Sequence, residues 1–227
     1  MIPLKDDSPS ALKPYVTMTL IAACACVFLW QRTLDPVSSR NAVAALGAVP
    51  AVLLADARLP ADLAWVPRFA SPFTSMFLHG GWMHLLGNML FLWIFGDNVE
   101  DAMGHAKFLA FYLLCGIAAV AAQALADAHS PYPIIGASGA ISGVLGAYLL
   151  LYPRARVLTL VLLPFFFTTL RLRAMLLLML WFAAQLVSDF AVRGGSSVAF
   201  RAHIGGFLAG MLLVPLLKRR DIALFAS

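Results

Sequence analysis

The 227-residue chain is 62% apolar and 12% charged, with a mean hydropathy of +0.87; an ordinary soluble domain is about 45–50% apolar and about 25% charged. These values exclude a soluble globular enzyme and predict a polytopic membrane protein with almost no soluble mass. The net charge of +5 and pI of 9.4 do not indicate nucleic acid, because the basic residues lie at the edges of apolar runs and form no stripe with interleaved aromatics.

A membrane helix needs about 20 apolar residues. Six segments meet or approach that length: 14–31, 82–99, 106–126, 137–152, 172–191 and 199–217. Residues 1–14 read as a short tail. They carry Lys5, Asp6, Asp7 and Lys13 rather than a purely basic leader, and Gln31-Arg32 is a poor cleavage site, so the first run is expected to stay as a span. Two further apolar runs are excluded as spans. Ala42–Ala55 contains Gly47 and Pro50; Val157–Leu170 is bounded by Arg156 and Arg171 and interrupted by Pro164. Both have the length of interfacial or re-entrant segments. Residues 218–227 form a basic tail after the 15–217 core.

The expected fold is therefore all-α, a six-helix polytopic bundle. With both termini inside, Lys5, Lys13, Lys107, Arg154, Arg156, Arg171, Arg173, Lys218, Arg219 and Arg220 lie on the inner side. Arg32, Arg40, Arg58, Arg68, Arg193 and Arg201 lie outside. Ten against six favours this N-in, C-in arrangement. Cys24, Cys26 and Cys115 all fall in apolar runs and make neither a disulfide framework nor a metal site.

The topology brings polar residues to one depth. Ser138, in GASGAISG, starts span four near its outer end. His203, in RAHIGGFLAG, lies near the outer end of span six, and His84 and Asn88, in HGGWMHLLGN, lie in the outer part of span two. Such groups are costly at membrane depth and face a cavity or one another. A serine needs a base to become a nucleophile, and histidine is the usual one. Ser138 with His203 would make a two-member pair whose histidine is oriented by packing. The plainer alternative for Ser138 is close helix packing, as in other small-residue membrane helices.

Gly206 and Gly210 on span six, facing Gly139 and Gly143 on span four, would bring the two helices together. The helix start at Ser138 offers free N–H groups to a developing oxyanion, and His84 and Asn88, four apart, could add side-chain donors or simply bond helices together. Ser142 reads as a packing residue, His79 as a loop-ordering or water-facing one, and His105 and His129 as interfacial. Asp189 is the only carboxylate expected in or beside a span core, paired with Arg193.

Other chemistries fail on residues. Ala140 replaces the second glycine of a GxSxG elbow, no HExxH is present, and a second membrane aspartate is absent, which removes a two-aspartate protease. No internal repeat with paired broken helices supports a transporter.

GASGAISG, HGGWMHLLGNMLFLWIFGDNVED and AHIGGFLAG, in this order and spacing, resemble the rhomboid intramembrane serine proteases across residues 15 to 217. The resemblance implies Ser138 as nucleophile, His203 as general base, and an oxyanion hole of His84, Asn88 and the Ser138 backbone. It implies no cofactor and no metal. The segment from about 32 to 81 would be an interfacial hairpin lying partly in the outer leaflet. Substrates would be single-span helices that enter sideways past span five and the loop before span six and are cut near their outer end, where small residues weaken the helix. Trp65 and Arg68, adjacent in many bacterial members, are separated here by Val66 and Pro67. A bacterial inner membrane is the expected location. The alternative is a non-catalytic relative that binds transmembrane helices in trafficking or quality control; members of that type usually lack the serine or the histidine.

Overall fold

The computed structural model describes residues 1–162, 166–191 and 199–225. A short strand β1 (Ile2–Asp6) precedes α1 (Tyr15–Thr33). The next stretch holds the short helices α2 (Pro36–Leu46), α3 (Pro50–Leu54) and α4 (Ser71–Thr74), with three single 3₁₀ turns. Then come α5 (Trp82–Met103), α6 (His105–Ala126) and α7 (Ser138–Leu151), the strands β2 (Arg156–Leu162) and β3 (Phe167–Arg173), and finally α8 (Ala174–Ala191) and α9 (Phe200–Leu217). A helix occupies each of the six expected segments. By length and composition α1, α6 and α9 can cross a membrane, and α7 and α8 contain shorter apolar stretches.

α7 is the centre of the bundle. At 1.5 Å per residue its 14 residues reach only about 21 Å, short of a hydrocarbon core of about 30 Å. Enclosure by other helices makes that length workable, because every residue from Gly139 to Leu149 is buried. Small residues permit the enclosure. A Cβ on Gly206 or Gly210 of α9 would fall on the carbonyl oxygens of Gly139 and Gly143, and one on Gly146 would fall on that of Phe207. The same glycines also meet α6, with Gly139 against Ala119 and Gly143 against Cys115. Larger side chains, Phe95, Phe108, Phe111, Tyr112 and Tyr148, fill the space around this seam.

Three features depart from the expectation. The fold is mostly helical but not all-α: β1, β2 and β3 form an antiparallel sheet in that order. The described residues of the excluded run at Val157–Leu170 pair as β2 and β3, with Leu158 opposite Arg171 and Leu160 opposite Thr169. Val157, Thr159, Val161, Thr168 and Thr169 are β-branched, which favours a pleated strand over a helix. Pro164, expected to interrupt this run, lies outside the described residues. β3 also takes the first two residues assigned to span five, so α8 starts at Ala174.

Second, α5 runs four residues past the expected end and carries Asp97, Glu100 and Asp101 in its last turns. Asp189 is therefore not the only carboxylate in a membrane helix or at its border. Glu100 is fully buried because it serves the start of α1. It accepts from the Val16 N–H (2.9 Å), the Thr17 N–H (2.8 Å) and the Thr17 hydroxyl (2.7 Å), and lies 2.6 Å from His105 Nδ1. A carboxylate is well placed against the positive end of a helix dipole. Third, the segment expected as a hairpin between spans one and two is a succession of short helices.

Both chain ends pack onto the bundle. Tyr148 of α7 donates to the Asp6 carboxylate, the Arg156 N–H donates to Asp7 (2.7 Å), the Arg219 N–H donates to the Ala102 carbonyl (2.8 Å) and the Phe225 N–H to that of Leu150 (2.7 Å).

Candidate active site

The approach to α7 is built to stop the chain where Ser138 begins. Ala48 and Ile134 exchange backbone hydrogen bonds (3.1 and 2.8 Å), and the Gly136 N–H donates to the Ser75 carbonyl (2.9 Å). Gly136 then turns with φ +112°, which favours glycine, and a Cβ there would stand 2.7 Å from the His84 ring. Ala137 supplies no side-chain cap, so the N–H groups of the first turn lack a partner within the helix. Ser142 sits one turn deeper and donates to the Ser138 carbonyl (2.6 Å).

Ser138 and His203 meet across the α7–α9 seam, with Ser138 Oγ 2.8 Å from His203 Nε2. Both are partly exposed. The far ring nitrogen, Nδ1, is 2.8 Å from Oε1 of Gln185 on α8. Trp181, one turn earlier on α8, lies 6.0 Å from the His203 ring. The start of α9 is tied to its surroundings: Gln123 accepts from the Ala202 N–H (3.3 Å), and Arg201 donates to Asp189 (3.0 and 3.2 Å) and to the Ala126 carbonyl (3.3 Å). Asp189 thus pairs with Arg201; Arg193, its expected partner, lies outside the described residues.

His84 and Asn88 share one face of α5 and converge on Gly136. A Cβ at that position would be 2.7 Å from His84 Nε2 and 3.7 Å from Asn88 Nδ2. His84 Nδ1 accepts from the Gly80 N–H (3.3 Å), which leaves the ring proton of the neutral form on Nε2, facing the turn. Asn88 is 8% exposed, and its Nδ2 is buried without a partner among the described residues. Two side-chain donors therefore point toward the residues that lead into Ser138.

The remaining candidates have other surroundings. His79 is 2% exposed and does not face water. Its N–H donates to Gln31 (3.0 Å), its Nδ1 lies 3.1 Å from the Phe77 carbonyl, and its ring packs edge-on against His84. Burial and the nearby His84 hold its imidazolium form down, with a pKa of about 4, so His79 braces His84 as a neutral ring. His105 is at the Glu100 end of the bundle, and His129 is exposed in the turn after α6. Trp65 donates to the Asp62 carbonyl (2.8 Å), and Arg68 lies over Phe69 (4.7 Å).

Gln185 is the residue that sequence reasoning missed. Its one signal is periodic: Trp181, Gln185 and Asp189 recur every fourth position on a mostly apolar helix, which puts them on one face.

Apolar helices that bring a partly exposed serine and histidine together define an integral membrane protein. Residues 67–220 match the family model described as Rhomboid domain. The chain is 32% identical over 138 residues to "RHOMBOID-like protein 5" of Arabidopsis thaliana, covering 61% of this chain and 40% of the relative. It is 36% identical over 137 residues to "Rhomboid protease GluP" of Bacillus subtilis (strain 168), covering 60% and 24%. With "Rhomboid protein 1, mitochondrial" of Saccharomyces cerevisiae it shares 35% identity over 142 residues, 61% of this chain and 39% of the relative. The chain belongs to the rhomboid family, and its match spans less than half the length of each of these relatives.

Proposed function

We propose that the protein is an intramembrane serine endopeptidase that cuts single-span transmembrane substrates with a Ser138–His203 dyad. The observation that carries this reading is the 2.8 Å hydrogen bond between Ser138 Oγ and His203 Nε2. Ser138 Oγ attacks the scissile carbonyl carbon while its proton passes to His203 Nε2. The oxyanion accepts from the Ser138 N–H, His84 Nε2 and Asn88 Nδ2. As the intermediate collapses, the C–N bond breaks and His203 returns its proton to the leaving amine. Water, deprotonated by the same imidazole, then attacks the acyl-enzyme and frees Ser138.

In this reading α1, α5, α6, α7, α8 and α9 are the six spans of a 15–217 core, with both termini on the inner side and the dyad opening to the outer one. The membrane is a bacterial inner membrane. The short helices between α1 and α5 lie along the outer leaflet. Substrates approach past α8, and small residues suit the narrow space around Gly136 and Gly139. The test is cleavage of a single-span model substrate in proteoliposomes. Wild type is expected to cut near one end of the substrate helix, with Ser138→Ala and His203→Ala each losing at least about 10³-fold. Activity retained in Ser138→Ala refutes the dyad, and substrate binding without cleavage by wild type points to the helix-binding alternative.

A further inference from the structure

We infer that Gln185 is a positioning residue that sets the tautomer of His203 from the neighbouring helix α8; the inference rests on His203 being the base. A neutral imidazole has one N–H and one acceptor nitrogen. Only the form with its proton on Nδ1 can accept the Ser138 hydroxyl proton at Nε2. Gln185 Oε1 can only accept, so at 2.8 Å from Nδ1 it selects that form. The amide thus does for this histidine what a carboxylate does in a three-member triad, and it does so without adding a charge at membrane depth, where a charge is costly.

The position of the amide is itself held. One turn before it, Trp181 packs against His203 and Phe207, at 6.0 and 6.2 Å between ring centres, and Phe182 stacks on Phe207 at 4.5 Å. One turn after it, Asp189 is paired with Arg201. Gln185 is the middle residue of a stripe clamped at both ends onto α9. The opposite side of α8 shows what an unconstrained position looks like, with Met179, Leu180 and Val187 exposed and apolar.

The experiment compares Gln185→Leu and Gln185→Glu with wild type, Ser138→Ala and His203→Ala in proteoliposomes. It reads kcat and KM on a single-span substrate, the rate at which a fluorophosphonate labels Ser138, and the pH profile of both. Leucine keeps the bulk and removes the acceptor. It should lower kcat and labelling by about 10- to 100-fold, a share of the 10²–10⁴ a positioned base contributes, with KM within about twofold. Glutamate should restore labelling and move the acid limb of both profiles to higher pH by about one unit or more, because an adjacent negative charge favours the imidazolium and the base works only when neutral. Among the described residues the other titratable groups facing this region are His84 of α5 and the mutually paired Asp189 and Arg201; none is changed by these substitutions. A packing role would alter thermal stability and leave the acid limb in place. If Gln185→Leu labels and turns over like wild type and Gln185→Glu leaves the acid limb unmoved, the inference is wrong and the dyad survives. If His203→Ala stays active, the base assignment fails and takes this inference with it.

Discussion

Asn88 keeps its side-chain nitrogen inside the protein with no hydrogen-bond partner among the described residues. An unmet buried donor costs about 1–3 kcal/mol, and its position beside the Gly136 turn suits a group that bonds only when a negative oxygen forms there. Stability and activity should then move apart. Asn88→Ala is expected to lower kcat by about 10²-fold with little change in KM, while the thermal midpoint stays level or rises. Should the midpoint and kcat fall together, Asn88 is a structural bridge and the oxyanion role is lost. His84 is different, because it already bonds Gly80 and packs against His79; its removal would disturb the loop as well as the chemistry.

Among the elements, a helical glycine in the α7–α9 seam and one on α5 behave differently. At Gly210 a Cβ would overlap the Gly143 backbone, and backbone has no rotamer to yield. At Gly87 of α5 a Cβ would meet nothing within 4 Å. Gly210→Ala should cost at least about 1–3 kcal/mol and move Ser138 away from His203. Gly87→Ala should leave stability level or add up to about 1 kcal/mol, the usual benefit of alanine over glycine in a helix. Unfolding in detergent micelles measures both, and equal effects would mean the seam is looser than its geometry. α1 shows a different dependence: its first turn is satisfied by Glu100 from α5, so the end of one helix completes the start of another.

For the molecule as a whole, residues 2–7 and 219–225 pack on the ends of the helices. Burial pushes the Asp6 carboxyl above the usual carboxylate range, although the Tyr148 hydroxyl donates to it and pulls the other way. The folded protein therefore holds this proton more tightly than the unfolded chain. That contribution is complete below the unfolded pKa of about 3.9 and is lost as pH rises through the folded value. Asp6→Asn keeps an acceptor for Tyr148 and removes the charge. It should melt higher than wild type at pH 7, with the gap closing as pH falls toward 4. A gap that is the same at both pH values would mean the charge is not what matters.

Much of this protein is legible from its residues because insertion into lipid is decided locally. Apolar length identifies each helix, and an ionisable group at depth, such as His203 or His84, stands out against it. The glycines at 139, 143, 206 and 210 identify the seam, since only small residues permit backbone contact. What sequence could not supply were the partners made by rotation and depth once helices pack. Gln185 is one polar residue on an apolar helix until α8 turns it toward His203. Glu100 looks like a charge past the end of a span until α1 starts against it. The β2–β3 run, too short to cross, carries no mark of what will pair with it until β1 and its own second strand lie alongside. Hydrophobicity acts on one segment at a time and is written in composition; a hydrogen bond needs two atoms within 3 Å or so, and only the assembled bundle decides which two.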